Sequence, residues 1–336
     1  MKLTVKTSQS SYPIYMERGS LHHIDRYIDL KRKVLILTDS NVPKAYASAI
    51  QAQCMHAEIY TIAAGETSKS FEVYQQIIEY MLSLQLDRSD LLIALGGGVV
   101  GDLGGFVAAT YMRGIAFMNI PTTTLAQIDS SIGGKVAVNV GHTKNIVGAF
   151  YPPTCVIIDL NTLDTLPQRE YHSGLAEAIK AGLIRDPQLF TIFESAAWRD
   201  QIEEIVYRSL LVKKQIVEED EFEQGDRKLL NFGHTIGHAL ESSQQLGHLL
   251  HGEAIALGML PMIREQSLKE RVKAIYQTLN LPQHCSCNLP VVYDYILQDK
   301  KRKQNEISLI FVITLGAGYI EQIPAEQIKH YLEELL

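Results

Sequence analysis

The stretch LLIALGGGVVGDLGGFVAAT, from Leu91 to Thr110, decides the fold of this chain. It begins with five apolar residues, Leu91 to Leu95, and continues into three consecutive glycines. A short apolar run that ends at a tight glycine turn predicts a buried strand, and the residues after the turn predict a helix. A strand, a turn and a helix in this order form the unit from which α/β domains are built.

The segments around this stretch repeat the alternation up to about Pro167, after which helical periodicity dominates. Residues 1–20 alternate like opening strands, and a helix is expected from Pro43. Further strands are predicted at residues 34–38, 56–62, 117–120 and 156–158, and a late one at 307–315. Such alternation requires right-handed crossovers and a mostly parallel sheet. We therefore expect an α/β Rossmann-like domain with a mostly parallel sheet at 1–168 and an all-α domain at 169–336.

Length, charge and cysteine content exclude several classes of protein. The 336 residues exceed the roughly 250–300 that one core supports, which favours two domains. A net charge of -7 argues against general nucleic-acid binding and against an anionic membrane surface. The N-terminus lacks a signal-peptide core, and no apolar run is long enough to span a membrane. The four scattered cysteines indicate reduced thiols, so we expect a cytoplasmic protein.

The glycine turn also predicts a nucleotide site. Residues 96–101 match G-x-G-x-x-G between a strand and a helix, where glycines let the backbone approach a pyrophosphate. The acidic residue usual about 20 positions later is missing. Asp39, directly after the strand at 34–38, can replace it by accepting hydrogen bonds from a ribose, which favours NAD over NADP. Alternatively, Asp39 only closes a turn or caps a helix.

Histidines in the second half predict a metal. His234 and His238 are four residues apart in an apolar segment, so they share one face of a helix, and His251 follows. Three imidazoles with one open position suit a catalytic zinc ion, although each histidine can instead be a core or surface residue. Glu177, three residues before Lys180, is either a third metal ligand or half of an exposed ion pair with that lysine.

Basic residues near the histidines indicate an anionic substrate. Lys213 and Arg227 lie just before them in the sequence. The segment DSSIGGK at 129–135 looks like a phosphate loop, but it lacks the first glycine and Val136 follows the lysine, so we reject a nucleoside-triphosphatase function. Lys135 and Lys144 can still meet anions as point charges, or they are simply solvated.

Taken together, these motifs resemble the 3-dehydroquinate synthase family over almost the whole chain. The resemblance rests on long blocks in the correct order: GETSKS at 65–70, LGGGVVGDLGGFVAAT at 95–110, MRG at 112–114, PTTTLAQIDSSIGGKVAVN at 121–139, KN at 144–145, GLAEAIK at 174–180, DExExGxR at 220–227, LNFGHTIGHALE at 230–241, HGEA at 251–254 and DKK at 299–301.

The resemblance implies a role for each matching residue. A divalent metal, zinc or cobalt, would bind Glu177, His234 and His251, which makes His238 a neighbour of the substrate and not a ligand. The implied NAD contacts are Asp39, Asn41, Glu66, Lys69, Gly97, Gly98, Val99, Asp102, Thr122, Thr123, Leu125, Lys144, Thr162, Thr165 and Leu166. The implied substrate contacts are Asp129, Lys135, Asn145, Lys180, Lys213, Arg227, Asn231, His238 and the pair Lys300 and Lys301, with Arg113 reaching the partner subunit of a homodimer.

The implied reaction converts the sugar phosphate 3-deoxy-D-arabino-heptulosonate 7-phosphate to 3-dehydroquinate and phosphate, the second step of the shikimate pathway. It proceeds by transient oxidation with NAD, phosphate elimination, re-reduction and aldol closure. Two alternatives share the architecture: a glycerol or polyol dehydrogenase of the iron-dependent type, and a related sugar-phosphate cyclase. The basic cluster disfavours a neutral polyol substrate, and His238 together with Arg227 favours 3-dehydroquinate synthase over the other cyclases.

Overall fold

The computed structural model describes residues 1–8, 10–141, 143–243, 249–298 and 306–336. They form two compact units, Met1–Leu166 and Pro167–Leu336, which divide two residues before the boundary expected from the sequence. No helix in these ranges is long and apolar enough to cross a membrane. The cysteines are free thiols, as predicted.

The first unit is built on a mixed sheet with strand order β1-β2-β9-β6-β5-β3-β4. The strands β1 and β2 pair antiparallel at one edge, and the others pair parallel. The bounds of the strands are β1 Lys2–Lys6, β2 Ser11–Met16, β3 Lys33–Asp39, β4 His56–Ile62, β5 Leu91–Gly96, β6 Ala116–Pro121, β7 Lys135–Val140, β8 Thr143–Phe150 and β9 Cys155–Ile158. The helices are α1 Lys44–Gln51, α2 Phe71–Ser83 and α3 Gly98–Thr110.

Both faces of this sheet are covered, which explains its unbroken apolar strands. Leu92 and Ala94 of β5 pack with residues of α2 and α3 into one core cluster. Leu91, Ile93 and Leu95, which point the other way, pack into a second cluster with residues of α1. The sequence therefore specifies the central strands correctly, since a parallel strand buried on both faces needs apolar residues throughout.

The hairpin β7–β8 is the element of this unit that the sequence did not predict. Its strands pair antiparallel outside the main sheet. The inward residues Val136 and Val138 join the core beneath α3. At Gly105 of α3, a Cβ would lie 2.3 Å from a methyl of Val136, so the helix and the hairpin approach too closely for any side chain there.

The second unit is predominantly helical, as expected, and contains one hairpin that an all-α domain would lack. Its first strand contains most of the predicted strand at 307–315, and its second strand was not predicted. The bounds are α4 Gln168–Ile184, α5 Pro187–Phe193, α6 Ile202–Glu219, α7 His234–Ser243, α8 His251–Met259, α9 Gln266–Leu279, α10 Leu289–Gln298, β10 Glu306–Thr314, β11 Ala317–Pro324 and α11 Ile328–Glu333. The central helix is α4, which is buried from His172 to Ile184 and packs against α5, α6 and α8.

Candidate active site and metal centre

The predicted NAD residues of the first unit gather where its parallel strands end. Asp39 ends β3, Gly97 follows β5, Thr122 follows β6, and Thr162 follows β9. The chain order reverses between β3 and β5, since β4 lies beyond β3 on one side and β6 beyond β5 on the other. Ligands of open α/β sheets bind outside the carboxyl ends of the strands at such a reversal.

The glycine turn leaves the N-terminus of α3 accessible. Gly97 precedes the helix without a side-chain cap, and Gly98 is its first residue. A Cβ on Gly97 would lie 3.1 Å from Thr123, and one on Gly98 would lie 3.3 Å from the hydroxyl of Ser130. Backbone N–H groups at a helix N-terminus attract anions, and here the N-cap residue makes no side-chain hydrogen bond to them.

Asp39 closes the turn after β3. Its Oδ1 accepts hydrogen bonds from the backbone N–H groups of Asn41, at 2.8 Å, and Val42, at 3.3 Å. The turn interpretation of Asp39 is therefore present in the structure, and the ribose interpretation remains a proposal. Thr162 also makes hydrogen bonds within the protein: its buried hydroxyl accepts one from the side-chain amide of Gln127 and donates one to the carbonyl oxygen of Asp159.

A hydrogen-bond network joins predicted NAD residues to a predicted substrate residue. Lys69 Nζ donates to Asp102 of α3 and to the side-chain oxygen of Asn145 in β8. Asn139 of β7 donates to Glu66 at 2.8 Å and accepts the backbone N–H of Asn145 at 2.8 Å. Asn145 has a positive φ of 54°, which this network stabilises. Asn139 carried no prediction, because an asparagine in an alternating strand gives no signal of its partners.

The remaining predicted residues of this unit lie on its surface or on turns. Asp129 belongs to a π-helical turn, Ala126–Ser130, a geometry often found at functional sites. Lys135 begins β7 and is exposed, and Lys144 lies in β8. Arg113 is exposed on the turn after α3, where its φ is 68°.

The metal candidates of the second unit surround a buried ion pair. Glu177 and Lys180 lie one turn apart on α4, with side chains 1% and 2% exposed, and Lys180 Nζ contacts Oε2 of the carboxylate. The interpretation of this pair as an exposed salt bridge is therefore wrong. A buried charge is stable only when it is compensated, so each of these groups requires the other.

The second carboxylate oxygen of Glu177 faces two imidazoles. Oε1 lies 3.7 Å from Nε2 of His234 and 3.6 Å from Nε2 of His251. This oxygen is buried and accepts no hydrogen bond from the described residues. Two ligand atoms of a tetrahedral zinc ion lie about 3.4 Å apart, since each bond is about 2.1 Å. The spacing and the donor set of Glu177, His234 and His251 therefore fit a shared divalent cation.

The other nitrogen of each imidazole fixes its orientation. Nδ1 of His234 lies 3.1 Å from the carbonyl oxygen of Phe232, and Nδ1 of His251 lies 3.4 Å from a carboxylate oxygen of Glu241. An acceptor at Nδ1 places the proton there and leaves the Nε2 lone pair for a metal. Glu241 was not predicted, because its partner lies ten residues further along the chain.

His238 stands beside this group. Its ring centroid is 5.1 Å from that of His234 and 5.8 Å from that of His251. The three histidines can each offer a nitrogen within 4.8 Å of the others, as their spacing predicted. A site of three histidines, however, would leave the buried Oε1 of Glu177 unused. The set with Glu177 is chemically the better one, and it leaves His238, which is exposed, outside the set.

The pKa values of Glu177, His234 and His251 are shifted by burial and by neighbouring charges. Burial raises the pKa of Glu177, but the Lys180 ammonium and the His251 imidazole outweigh it and lower that pKa to about 2. Burial, and the Lys180 cation in addition, hold the pKa of His234 well below its usual value. Burial also lowers the pKa of His251, but its contacts with Glu177 and Glu241 prevail and raise it to about 9. At neutral pH the carboxylate is ionised and His234 is neutral, as a metal requires, whereas His251 carries a proton that a metal would displace.

Further predicted cations of this unit are also buried. Lys213 on α6 is 8% exposed, and Arg227, on the turn that follows, is 3% exposed. The guanidinium of Arg227 donates to the carbonyl oxygen of Glu221. Asn231 donates to Glu223 and lies three residues before His234. Lysine and arginine are rarely buried this deeply unless they are paired.

The loop that carries Arg227 depends on one aspartate that was not predicted. Asp220 accepts hydrogen bonds from the backbone N–H groups of Gln224 at 2.9 Å, Gly225, and Arg227 at 3.1 Å. Burial raises the pKa of Asp220, but these three donors and the Arg227 charge lower it below its usual value. Lys301, the last predicted substrate residue, and its neighbour Lys300 lie outside the described residues.

Comparison with known proteins identifies the family. The model of the 3-dehydroquinate synthase N-terminal domain matches residues 59–173, and that of the C-terminal domain matches residues 174–302. The 3-dehydroquinate synthase of Streptococcus mutans serotype c is 41% identical over 355 residues, covering 99% of this chain and 100% of that protein. The chain belongs to the 3-dehydroquinate synthase family. The family and the function expected from the sequence motifs are confirmed.

Solved structures of related cyclases share the fold. A 2-deoxy-scyllo-inosose synthase, complexed with carbaglucose-6-phosphate, NAD+ and Co2+, is 25% identical with a TM-score of 0.90 over 100% of both chains. The 2-epi-5-epi-valiolone synthase ValA from Streptomyces hygroscopicus subsp. jinggangensis, with NAD+ and Zn2+ bound, is 25% identical with a TM-score of 0.88 over 98% of both chains. The expected fold class, a Rossmann-like unit with a helical unit, is therefore confirmed.

Proposed function

We propose that this chain acts as a phosphate-eliminating carbon–oxygen lyase that converts 3-deoxy-D-arabino-heptulosonate 7-phosphate to 3-dehydroquinate and phosphate. The observation that supports this most strongly is the buried Oε1 of Glu177 between Nε2 of His234 and Nε2 of His251, with Lys180 beside it. These groups would form a metal centre in a cationic environment, which suits the oxidation of an alcohol in an anionic sugar.

The proposed cofactors are NAD and a divalent cation, zinc or cobalt. NAD would lie along the ends of β3, β5, β6 and β9, with its pyrophosphate at the N-terminus of α3. The cation would be held by Glu177, His234 and His251. When bound, the two supply reversible hydride transfer at carbon 5 and polarisation of the neighbouring oxygens.

The chain's own cations would bind and orient the substrate. We assign the phosphate end mainly to Lys135, Asn145 and Arg113, and the carboxylate end mainly to Lys213, Arg227 and Lys301. Lys180 pairs with Glu177 and would present its other ammonium N–H donors to the reacting hydroxyls. Fixed charges in a dry site stabilise developing negative charge without reorganisation, and this is the principal catalytic contribution of these side chains.

Proton transfer needs no dedicated protein base in this scheme. A ketone at carbon 5 acidifies the hydrogen on carbon 6, and the departing phosphate can accept that proton itself. His238 and Asn231 then hold hydroxyl groups in position during oxidation and ring closure. The exposure of His238, beside two half-buried histidines, supports a role in contacting substrate.

The proposed assembly is a cytoplasmic homodimer. The exposed Arg113 on its left-handed turn is free to extend from the surface of the first unit, which supports its assignment to the partner's phosphate site. Sedimentation at graded concentrations tests the dimer. The assignment of Arg113 is tested by mixing Arg113→Ala subunits with subunits inactivated elsewhere and looking for restored activity.

The reaction itself is tested by phosphate release with NAD far below the substrate concentration, while absorbance at 340 nm is followed in parallel. We expect many phosphates per NAD, no lasting NADH, loss of activity with a chelator, and recovery with zinc or cobalt. Stoichiometric NADH from glycerol without phosphate release would instead indicate the dehydrogenase alternative. Cyclisation of glucose 6-phosphate in preference would indicate another sugar-phosphate cyclase.

A further inference from the structure

The packing of α8 on α4 places the metal candidates through a ladder of three contacts. Arg169, Ser173 and Glu177 lie four residues apart, so they share one face of α4. They meet Glu253, Gly252 and His251 in that order, which means that each turn of α4 corresponds to one residue of α8. The contact between Glu177 and His251 is the last step of this ladder.

The first step is a bidentate ion pair. Arg169 Nε donates to Oε1 of Glu253 and Nη2 donates to Oε2, both at 2.7 Å. The carboxylate is 8% exposed, whereas the arginine is half exposed. Parallel double hydrogen bonds between a guanidinium and a carboxylate fix direction as well as distance.

The same carboxylate begins α8. Glu253 Oε2 accepts the backbone N–H of Leu250 at 2.8 Å, so it also holds the residue immediately before His251. In the middle step, a Cβ on Gly252 would lie 1.8 Å from the carbonyl oxygen of Ser173, so the two backbones are in direct contact. The position of His251 is therefore determined on both sides, by Leu250 and by Gly252.

We propose that the pair of Arg169 and Glu253 is a positioning device for the metal centre, which sets the register of α8 on α4 and thereby holds His251 at Glu177. The inference rests on the proposed ligand set of Glu177, His234 and His251. Neither Arg169 nor Glu253 touches the metal or the substrate in this account. Residues that support metal ligands from outside typically contribute 10- to 100-fold in affinity.

The test is the zinc affinity of metal-free protein, measured by competition with a chelator, together with the visible absorption of the Co2+ form. We expect Arg169→Ala to weaken zinc binding by about 10- to 100-fold and to alter the cobalt band. Arg169→Lys should weaken zinc binding less than Arg169→Ala does, since a lysine supplies the positive charge but not the two parallel hydrogen bonds. Glu253→Gln should resemble Arg169→Ala while keeping the shape of the side chain.

A matched control exists in the same unit. Arg271 makes a comparable fork to Glu194, at 2.7 and 3.0 Å, and neither residue adjoins a metal ligand in the sequence. Arg271→Ala should leave zinc affinity within about twofold of wild type. Equal losses in Arg271→Ala and Arg169→Ala would overturn the proposal, because general loosening would then explain both. Unchanged zinc affinity and an unchanged cobalt band in Arg169→Ala and Glu253→Gln would also overturn it.

His251→Ala, measured in parallel, separates this inference from the proposed function. If His251→Ala binds zinc as wild type does, the ligand set itself is wrong. If His251→Ala loses zinc and the Arg169 and Glu253 variants keep it, the ligand set stands and the positioning role fails.

Discussion

The two units place their candidate residues in opposite environments. In the first unit many of them lie on turns that follow parallel strands, and two others, Lys135 and Asn145, are exposed on the hairpin β7–β8. In the second they lie on packed helices or beside them, and Glu177, Lys180 and Arg227 are almost fully buried. The first unit thus offers backbone geometry to a ligand, whereas the second offers charges in a dry interior. Substitutions should therefore affect the two units in different ways.

The largest effect is expected from removing a metal ligand. His234→Ala should abolish metal binding and turnover together, because two protein ligands without the imidazole no longer form a catalytic site. NAD affinity, measured by calorimetry in the absence of metal, should stay as in wild type. Metal analysis and phosphate release provide the readouts. A variant that retains both zinc and activity would contradict the ligand assignment.

Next in size is the loss of stability when the buried ion pair is broken. Lys180→Met should cost about 3–5 kcal/mol in the free energy of unfolding, since it leaves the buried Glu177 carboxylate with only the His251 imidazolium to compensate its charge. Zinc should recover part of this loss by replacing the missing charge. Urea unfolding with and without zinc measures both quantities.

Lys214→Met is the control for that experiment. Lys214 makes a salt bridge to Glu218 at 2.6 Å on the more exposed side of α6. Its loss should cost no more than about 1 kcal/mol. Equal destabilisation in the two lysine variants would show that burial does not distinguish the pairs.

A substitution in the glycine turn should weaken cofactor binding without reducing stability. Gly98→Ala places a methyl group at the N-terminus of α3, 3.3 Å from Ser130, where the cofactor backbone contact is proposed. We expect NAD to bind about tenfold more weakly, or about 1.4 kcal/mol. Stability should hold or rise, because alanine is the better helix former. Zinc affinity should not change, and a parallel loss of zinc would contradict separate roles for the two units.

A smaller effect is expected from Asp220, and it should depend on pH. The folded state lowers the pKa of this carboxyl, so it contributes stability above its unfolded pKa of about 4, which is lost as the pH falls through the lower folded value. The difference in unfolding free energy between wild type and Asp220→Asn should therefore be constant above about pH 4 and shrink below it. Thermal unfolding between pH 3 and 7 measures this, and a difference that grows on acidification would contradict the assignment.

The sequence predicts the central elements well because their causes are local. Leu91 to Leu95 is apolar throughout, as a strand covered on both faces must be, and the following glycines end it. The hairpin β7–β8 was missed because its first strand follows two glycines in a segment that looks like a phosphate loop. The strand β11 was missed because it is mostly half-buried and its sequence, AGYIEQIP, shows no regular alternation of apolar and polar residues.

Some residues of the candidate site could be predicted from the sequence and others could not. Histidines and basic residues could be predicted from the motifs, because the residue type alone indicates metal or anion binding. Glu241, Glu253 and Asn139 act through partners far along the chain, and a carboxylate or an amide in isolation does not reveal what it will contact. The burial of Glu177 with Lys180 likewise follows from helix packing, which spacing on one helix cannot show.

The most direct test of this account is anomalous diffraction at the zinc edge from crystals of the zinc-loaded protein. We predict one zinc ion bonded at about 2.0–2.2 Å to Oε1 of Glu177 and to Nε2 of His234 and His251. His238 should remain outside the bonding distance. Zinc held by the three histidines with Glu177 still paired only to Lys180, or zinc bound elsewhere, would contradict the central claim.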